Sequence, residues 1–123
     1  MHFLSAIAAD PELGGAPFTI LRNHMVLSGG EAALESRETI PAFGVVQPTR
    51  DQDLSLLPEE YRSETLLTFY SPLPFSLGAR LDSFHFTAPD RILFGGRSFL
   101  VIAVKDWTAF GFSRAIAVLQ KEA

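Results

Sequence analysis

Two adjacent glycines in the last third of the chain, Gly95 and Gly96, place the strongest constraint on the fold that this sequence can adopt. They separate two apolar runs within residues 90–107, and both runs are rich in β-branched and aromatic side chains. Such side chains favour a pleated, packed surface. A Gly-Gly pair supplies the positive φ angles that a two-residue hairpin turn requires. The sequence therefore predicts an antiparallel hairpin here.

The rest of the chain predicts a mainly β fold. A third apolar run, 113–119, follows a corner at 108–112, and further strands are predicted at 17–22, 39–46, 64–71 and 84–86. Pro41 lacks the N–H that a central strand donates, so its strand is expected at an edge or with a bulge. Short strands separated by Gly and Pro corners indicate a small antiparallel β-barrel or sandwich.

Two short helices are predicted to interrupt the β pattern. Phe3, Leu4, Ile7 and Ala8 have helical spacing, and the Asp10-Pro11 pair ends that run. The second helix, 50–56, begins after Thr49, which forms a capping-box pattern with Gln52. The short N-terminal helix is favoured over a targeting segment, because the apolar run lacks a positively charged start and is too short to cross a bilayer.

Length and composition predict a single domain that has no disulfides and no strongly basic surface. The 123 residues are 47% hydrophobic, with residues 1–16 predicted as an N-terminal arm and 17–119 as the β-barrel core. There is no cysteine, which excludes disulfide scaffolds and thiolate metal sites. The net charge of −4 argues against binding nucleic acid by phosphate neutralisation. We expect a cytoplasmic setting and no membrane association.

Candidate chemical sites are weak, and we predict no enzyme, no cofactor and no metal. Asp82, His85 and Asp90 are residue types that bind cations, but turn acids beside a strand histidine explain them better. Gly95-Gly96-Arg97-Ser98 lacks the Walker spacing and precedes a strand. Glu59 and Glu60 are adjacent, so a solvated turn is favoured over a catalytic pair. No Gly-x-Ser-x-Gly elbow is present.

Several residues are instead candidates for an interface with another subunit or partner. Trp107 is the only indole, and it is expected either in a packed corner or as an interface anchor. Leu54 and Leu57 share a helix face that docks on a neighbour or covers the end of the barrel. The full candidate set is Gln47, Pro48, Leu54, Leu57, Pro58, Pro72, Pro74, Phe75 and Trp107.

The order of several short motifs resembles the small neck proteins of tailed bacteriophages, the head-completion, head–tail connector or collar proteins between portal and tail. The resemblance covers about residues 40–119. Its motifs are Gly44-Val-Val-Gln-Pro48, the 53–62 segment Asp-Leu-x-Leu-Leu-Pro-Glu-x-x-Arg, Thr68-Phe-Tyr-Ser71, Ala88 to Phe99 with its Asp-Arg and Gly-Arg elements, and Val104-x-Asp-Trp107. The first 35 residues and the proline-rich 72–81 stretch depart from the pattern.

This resemblance implies a structural virion protein of the neck, assembled in the bacterial host cytoplasm. Its expected partners are roughly six or twelve copies of itself in a ring, portal or adaptor proteins on the head side, and tail terminator or other tail proteins. DNA would pass through the ring without specific binding, and a lumen lined by acidic residues would favour this by repulsion. The alternatives are a tail or baseplate accessory protein and a small ligand-binding β-barrel.

Overall fold

The computed structural model describes residues 15–61 and 64–120, and the fold there is mainly β, as the sequence predicts. The predicted helix over residues 3–8 and most of the predicted arm, residues 1–14, lie outside the described residues. The strands are Gly15–Ser28 (β1), Glu31–Pro48 (β2), Leu66–Ser71 (β3), Ala79–Arg80 (β4), His85–Thr87 (β5), Arg91–Phe94 (β6), Arg97–Trp107 (β7) and Phe112–Leu119 (β8). One short helix, Asp51–Leu54 (α1), and two 3₁₀ turns, Glu59–Tyr61 and Thr108–Phe110, join them.

Six of the strands pair in a closed cycle, which we call the strand ring. Its order is β1-β2-β3-β8-β7-β6, with β6 returning to β1, and every pairing is antiparallel. This barrel-like arrangement gives each member two strand neighbours, so the backbone groups of the segments that are paired on both sides are used within the subunit. The predicted Gly95-Gly96 turn joins β6 to β7, with φ angles of 59° and 76°.

The first two strands extend well beyond the predicted segments 17–22 and 39–46. They form one long hairpin that closes at Gly29-Gly30, whose φ angles are 60° and 82°. Residues 31–39 are exposed on both faces of β2, so apolar alternation does not mark them as a strand. Backbone pairing with β1, set by the tight turn, extends β2 where side-chain burial does not.

We call the outer part of this hairpin, with its added strands, the arm. It is distinct from the N-terminal arm predicted for residues 1–16. It comprises residues 23–37 and 79–87, and its strand order is β2-β1-β5-β4. Glu35 is an extra residue in β2, because Leu34 pairs with Met25 and Ser36 pairs with His24. This bulge interrupts the ladder after Leu34.

Side chains from the strands and one loop fill the strand ring. Phe69 lies at the centre, edge-on to Phe18 and Phe99 at ring-centroid distances of 5.3 and 5.7 Å. The buried members of this core are Phe18, Ile20, Phe69, Phe75, Ile92, Phe99, Val101, Ala115 and Ala117. Phenylalanine side chains therefore fill much of the interior of the strand ring.

A second apolar cluster involves the segment between β2 and β3. Leu57 packs there with three buried residues of β3 and β8, and Leu54 and Tyr61 lie against it; the buried members are Leu57, Leu66, Ile116 and Val118. The predicted helix 50–56 is present but shorter, as α1. The hydroxyl of Thr49 lies 3.0 Å from that of Thr68, a contact that joins the start of this segment to β3.

The loop over residues 72–78 packs into the core through Phe75. The Phe75 ring stacks on Phe18 at 6.3 Å, and its backbone N–H donates to the Ser113 hydroxyl at 3.4 Å. The Ser76 N–H donates to the Asp90 carboxylate at 2.8 Å, and the Ser76 carbonyl accepts from the Asp90 N–H at 2.9 Å. The predicted irregular stretch is thus an ordered loop that also contributes to the core.

Candidate interaction surfaces

The structure divides the predicted interface residues into exposed and buried ones. Gln47, Pro48 and Pro58 are exposed, whereas Leu57 is only 6% exposed and Leu54 is partly buried in the second apolar cluster. Of the two interpretations of the leucine pair, the structure shows the one in which the helical segment covers its own sheet. The exposed leucine of this segment is Leu56, at 80%.

The predicted interface residues of the proline-rich loop are also partly exposed and partly buried. Pro72 and Pro74 are exposed, while Phe75 lies in the core. Pro72 and Leu73 border a shallow apolar groove whose other wall is formed by β2 at Pro41 and Phe43. At Pro41, β1 is the only strand among the described residues that pairs with β2, since pairing with β3 starts at Val45; the predicted edge position is confirmed.

Trp107 stands at the corner between β7 and β8, and it is 38% exposed. Its indole packs edge-on against Phe112 at 5.0 Å, and Phe112 in turn lies 6.4 Å from Tyr70. The Lys105 ammonium lies 5.6 Å from the indole centroid. Trp107 therefore combines a packed edge with an accessible surface, and Phe110 beside it is largely exposed.

The arm carries an apolar face that the sequence prediction missed. In antiparallel pairs, opposed residues share a face, so the Leu34–Met25–Phe86 row lies on one side of the arm, together with Leu27. An open groove at this end of the arm is lined by Leu27, Leu77, Phe84 and Phe86, and also by polar residues that include Asp82 and His85. The available signal was the apolar run Met25-Val26-Leu27, which continues β1 past Arg22.

The opposite face of the arm carries paired histidines and carboxylates. Nδ1 of His85 lies 2.9 Å from both oxygens of Asp82, and Nε2 lies 3.3 Å from Oε2 of Glu35. His24 approaches Glu38 at 3.4 Å. The hydrogen bond to Asp82 raises the pKa of His85, and backbone hydrogen bonds from Phe84 lower the pKa of Asp82.

These contacts separate the three residues weighed as a cation site. Asp82 and His85 bind each other, but the Asp90 carboxylate accepts two hydrogen bonds from Arg22. Within the described residues, no group of three His, Cys, Asp or Glu side chains is placed to hold a metal ion. Asp90 instead ties β1 to the 72–78 loop.

Comparisons with known proteins assign no family. No family model matches the chain, and none of the curated proteins compared with it matches either. In the described part of the chain, no helix has the length and apolar character needed to span a membrane. Functional inference therefore depends on the surfaces themselves.

Proposed function

We propose that this protein is a structural subunit of the neck of a tailed bacteriophage. In this role, copies of the chain form a ring between the portal or adaptor and the tail, and DNA passes through that ring. The observation that carries the proposal is the arm, a paired but largely uncovered extension whose apolar side chains need a partner surface. Uncovered apolar surface of this kind is typical of proteins that assemble.

The exposed corner at Trp107 supports the same role. An accessible tryptophan with a packed edge is the kind of residue that contributes strongly to binding at interfaces. Arm and corner belong to different strands, so each subunit presents two unlike surfaces. Unlike surfaces favour head-to-tail contacts, and such contacts form rings when the rotation between copies closes.

The test of this proposal is assembly of the purified full-length chain. Native mass spectrometry and negative-stain imaging should show closed rings, alone or with portal particles. Addition of the protein to heads that lack it should restore their joining to tails. A strictly monomeric protein that binds neither portal nor tail particles would contradict the proposal, and binding to the baseplate alone would favour the tail-accessory alternative.

A ligand-binding role is the second candidate, and the groove on the arm is the observation that favours it. The interior of the strand ring is filled by the phenylalanine core, so a small ligand would occupy the open groove of about 400 Å³ beside Leu27 and Phe86. That volume is within the usual range of ligand sites. A thermal shift on screening small apolar ligands, abolished by Phe86→Ala, would support this alternative.

A further inference from the structure

The arm has two open edges, and they differ from each other. On one side, residues 31–44 of β2 have no strand partner among the described residues beyond β1. On the other side, β5 is the only strand that pairs with β4 in the part of the chain that the structure describes. Open strand edges present backbone donors and acceptors that another strand satisfies.

The directions of these edges are compatible with continued pairing from copy to copy. Successive strands in the order β2-β1-β5-β4 are antiparallel, so β2 and β4 run in opposite directions. A β2 edge placed beside the β4 edge of a second copy therefore forms another antiparallel pair. An odd number of strands would have produced a parallel junction.

The hydrogen-bonding phase of the β2 edge can be read from β1. Leu27 donates its N–H to the Phe84 carbonyl, away from β2, so its pair with Ala32 is of the non-hydrogen-bonded type. The backbone groups of Ala32 consequently point to the open side. The same alternation places those of Leu34 on the open side.

The hydrogen-bonding phase of the β4 edge matches that of the β2 edge. Leu81 donates its N–H to the His85 carbonyl, toward β5, so the backbone groups of the preceding residue, Arg80, point to the open side. Arg80 is opposed to Phe86 and shares the apolar face of the arm with Leu34. Residues that would exchange hydrogen bonds across the junction therefore lie on one face, as antiparallel pairing requires.

The lengths and the exposed apolar residues fit the same junction. The Glu35 bulge confines regular pairing to the four residues 31–34, and β4 is also short, with two residues. Leu34 is 52% exposed and Leu77, in the groove beside β4, is 48% exposed. Joining the two edges extends the apolar face of one arm into the groove of the next.

We propose that the arm forms a subunit contact, with residues 31–34 of β2 adding to the β4 edge of a second copy in a head-to-tail β-sheet. The closure of this chain of contacts into a ring rests on the proposed function, whereas the pairing itself does not. An isologous contact between two β2 edges is the competing arrangement.

Engineered cysteines test the pairing directly, because the chain has no cysteine of its own. The variant Ala33→Cys is combined with Ala79→Cys or with Leu81→Cys, which covers the two registers that place Ala32 or Leu34 opposite Arg80. Within one copy, β2 and β4 are three strand spacings apart, about 14 Å. A disulfide spans less than about 7 Å between Cα atoms, so any cross-link joins two copies.

We expect one of the two double variants to form a ladder of disulfide-linked oligomers on mild oxidation of the full-length protein. In the register that places Ala32 opposite Arg80, Ala32→Pro removes the outward N–H without removing a bond to β1, and should reduce cross-linking at least tenfold. Ala32→Thr is the matched control and should leave it unchanged. Ala109→Cys with Ala79→Cys should give no ladder.

Two results would overturn the inference, and a third would separate it from the proposed function. Efficient dimer formation by Ala33→Cys alone would show that β2 edges meet each other. Closed rings that form normally without cross-links in either register would remove the arm contact and leave the proposed function standing. Cross-linked ladders that neither close nor bind portal particles would support the pairing and contradict the neck assignment.

Discussion

The carboxylate of Asp90 accepts hydrogen bonds from Nε and Nη2 of Arg22, at 3.0 and 2.9 Å, although Asp90 is fully buried. The same guanidinium donates to the Pro74 carbonyl at 3.2 Å. This bidentate pair raises the pKa of Arg22, chiefly through the hydrogen bond to Asp90. It joins β1, at the base of the arm, to the loop that carries Phe75.

Removing the Asp90 carboxylate should destabilise the protein strongly. Asp90→Ala removes the carboxylate that accepts two hydrogen bonds from Arg22 and one from the Ser76 N–H, and loss of one partner of a buried pair costs about 3–5 kcal/mol. Urea denaturation followed by circular dichroism measures the change in the free energy of unfolding. The exposed acid Glu60 supplies a control, since Glu60→Ala should change it by less than about 0.5 kcal/mol.

The neighbouring leucines Leu56 and Leu57 should respond very differently to truncation. Leu57 is buried against β3 and β8, so Leu57→Ala should lower the free energy of unfolding by about 2–4 kcal/mol through lost burial and a cavity. Leu56 is mostly exposed, and Leu56→Ala should cost less than about 0.5 kcal/mol. Equal effects would contradict the placement of this segment against the sheet.

Gly44 should not tolerate a side chain, because β2 passes very close to β3. A Cβ at this position would overlap the Tyr70 carbonyl oxygen and lie 3.1 Å from the Phe18 ring. We expect Gly44→Ala to cost at least about 2 kcal/mol, measured by thermal denaturation. Gly95→Asn is the control, because asparagine accepts positive φ and a Cβ there meets no atom within 4 Å.

The His85 contacts predict a pH dependence in the arm. Because the pKa of His85 is raised in the folded protein, the stabilisation is fully present below the unfolded value, about 6.5, and is lost as pH rises through the folded value. The stability difference between the native protein and His85→Gln should therefore shrink with rising pH. In NMR titrations, Asp82→Asn should lower the His85 pKa more than Glu35→Gln does.

Trp107→Ala should weaken assembly of subunit rings more than it lowers the melting temperature. The exposed part of the indole is available to a neighbour, while its packed edge contacts Phe112. Dissociation on dilution, followed by native mass spectrometry, measures the first effect, and calorimetry measures the second. A large fall in melting temperature with unchanged assembly would assign Trp107 to corner packing alone. Phe99→Ala, in the core, should show that opposite pattern.

Side-chain patterns predicted the strands that form the core, and they failed where backbone pairing alone sustains a strand. The Gly95-Gly96 hairpin and β3 follow from β-branched and aromatic runs between turn residues. The outer half of the β1–β2 hairpin has no buried alternation in β2, so local preference does not reveal it. The roles of Phe75 and Asp90 depend on contacts between distant segments, which one sequence does not encode locally.

The filled interior of the strand ring has a consequence for any assembly built from this chain. Phe69 and Phe75 occupy the space that a wider cylinder of strands would leave open. A polymer such as DNA consequently has no route through a single copy. In the proposed neck, its conduit is bounded only by outer surfaces of adjoining copies, and the number of those copies determines the bore.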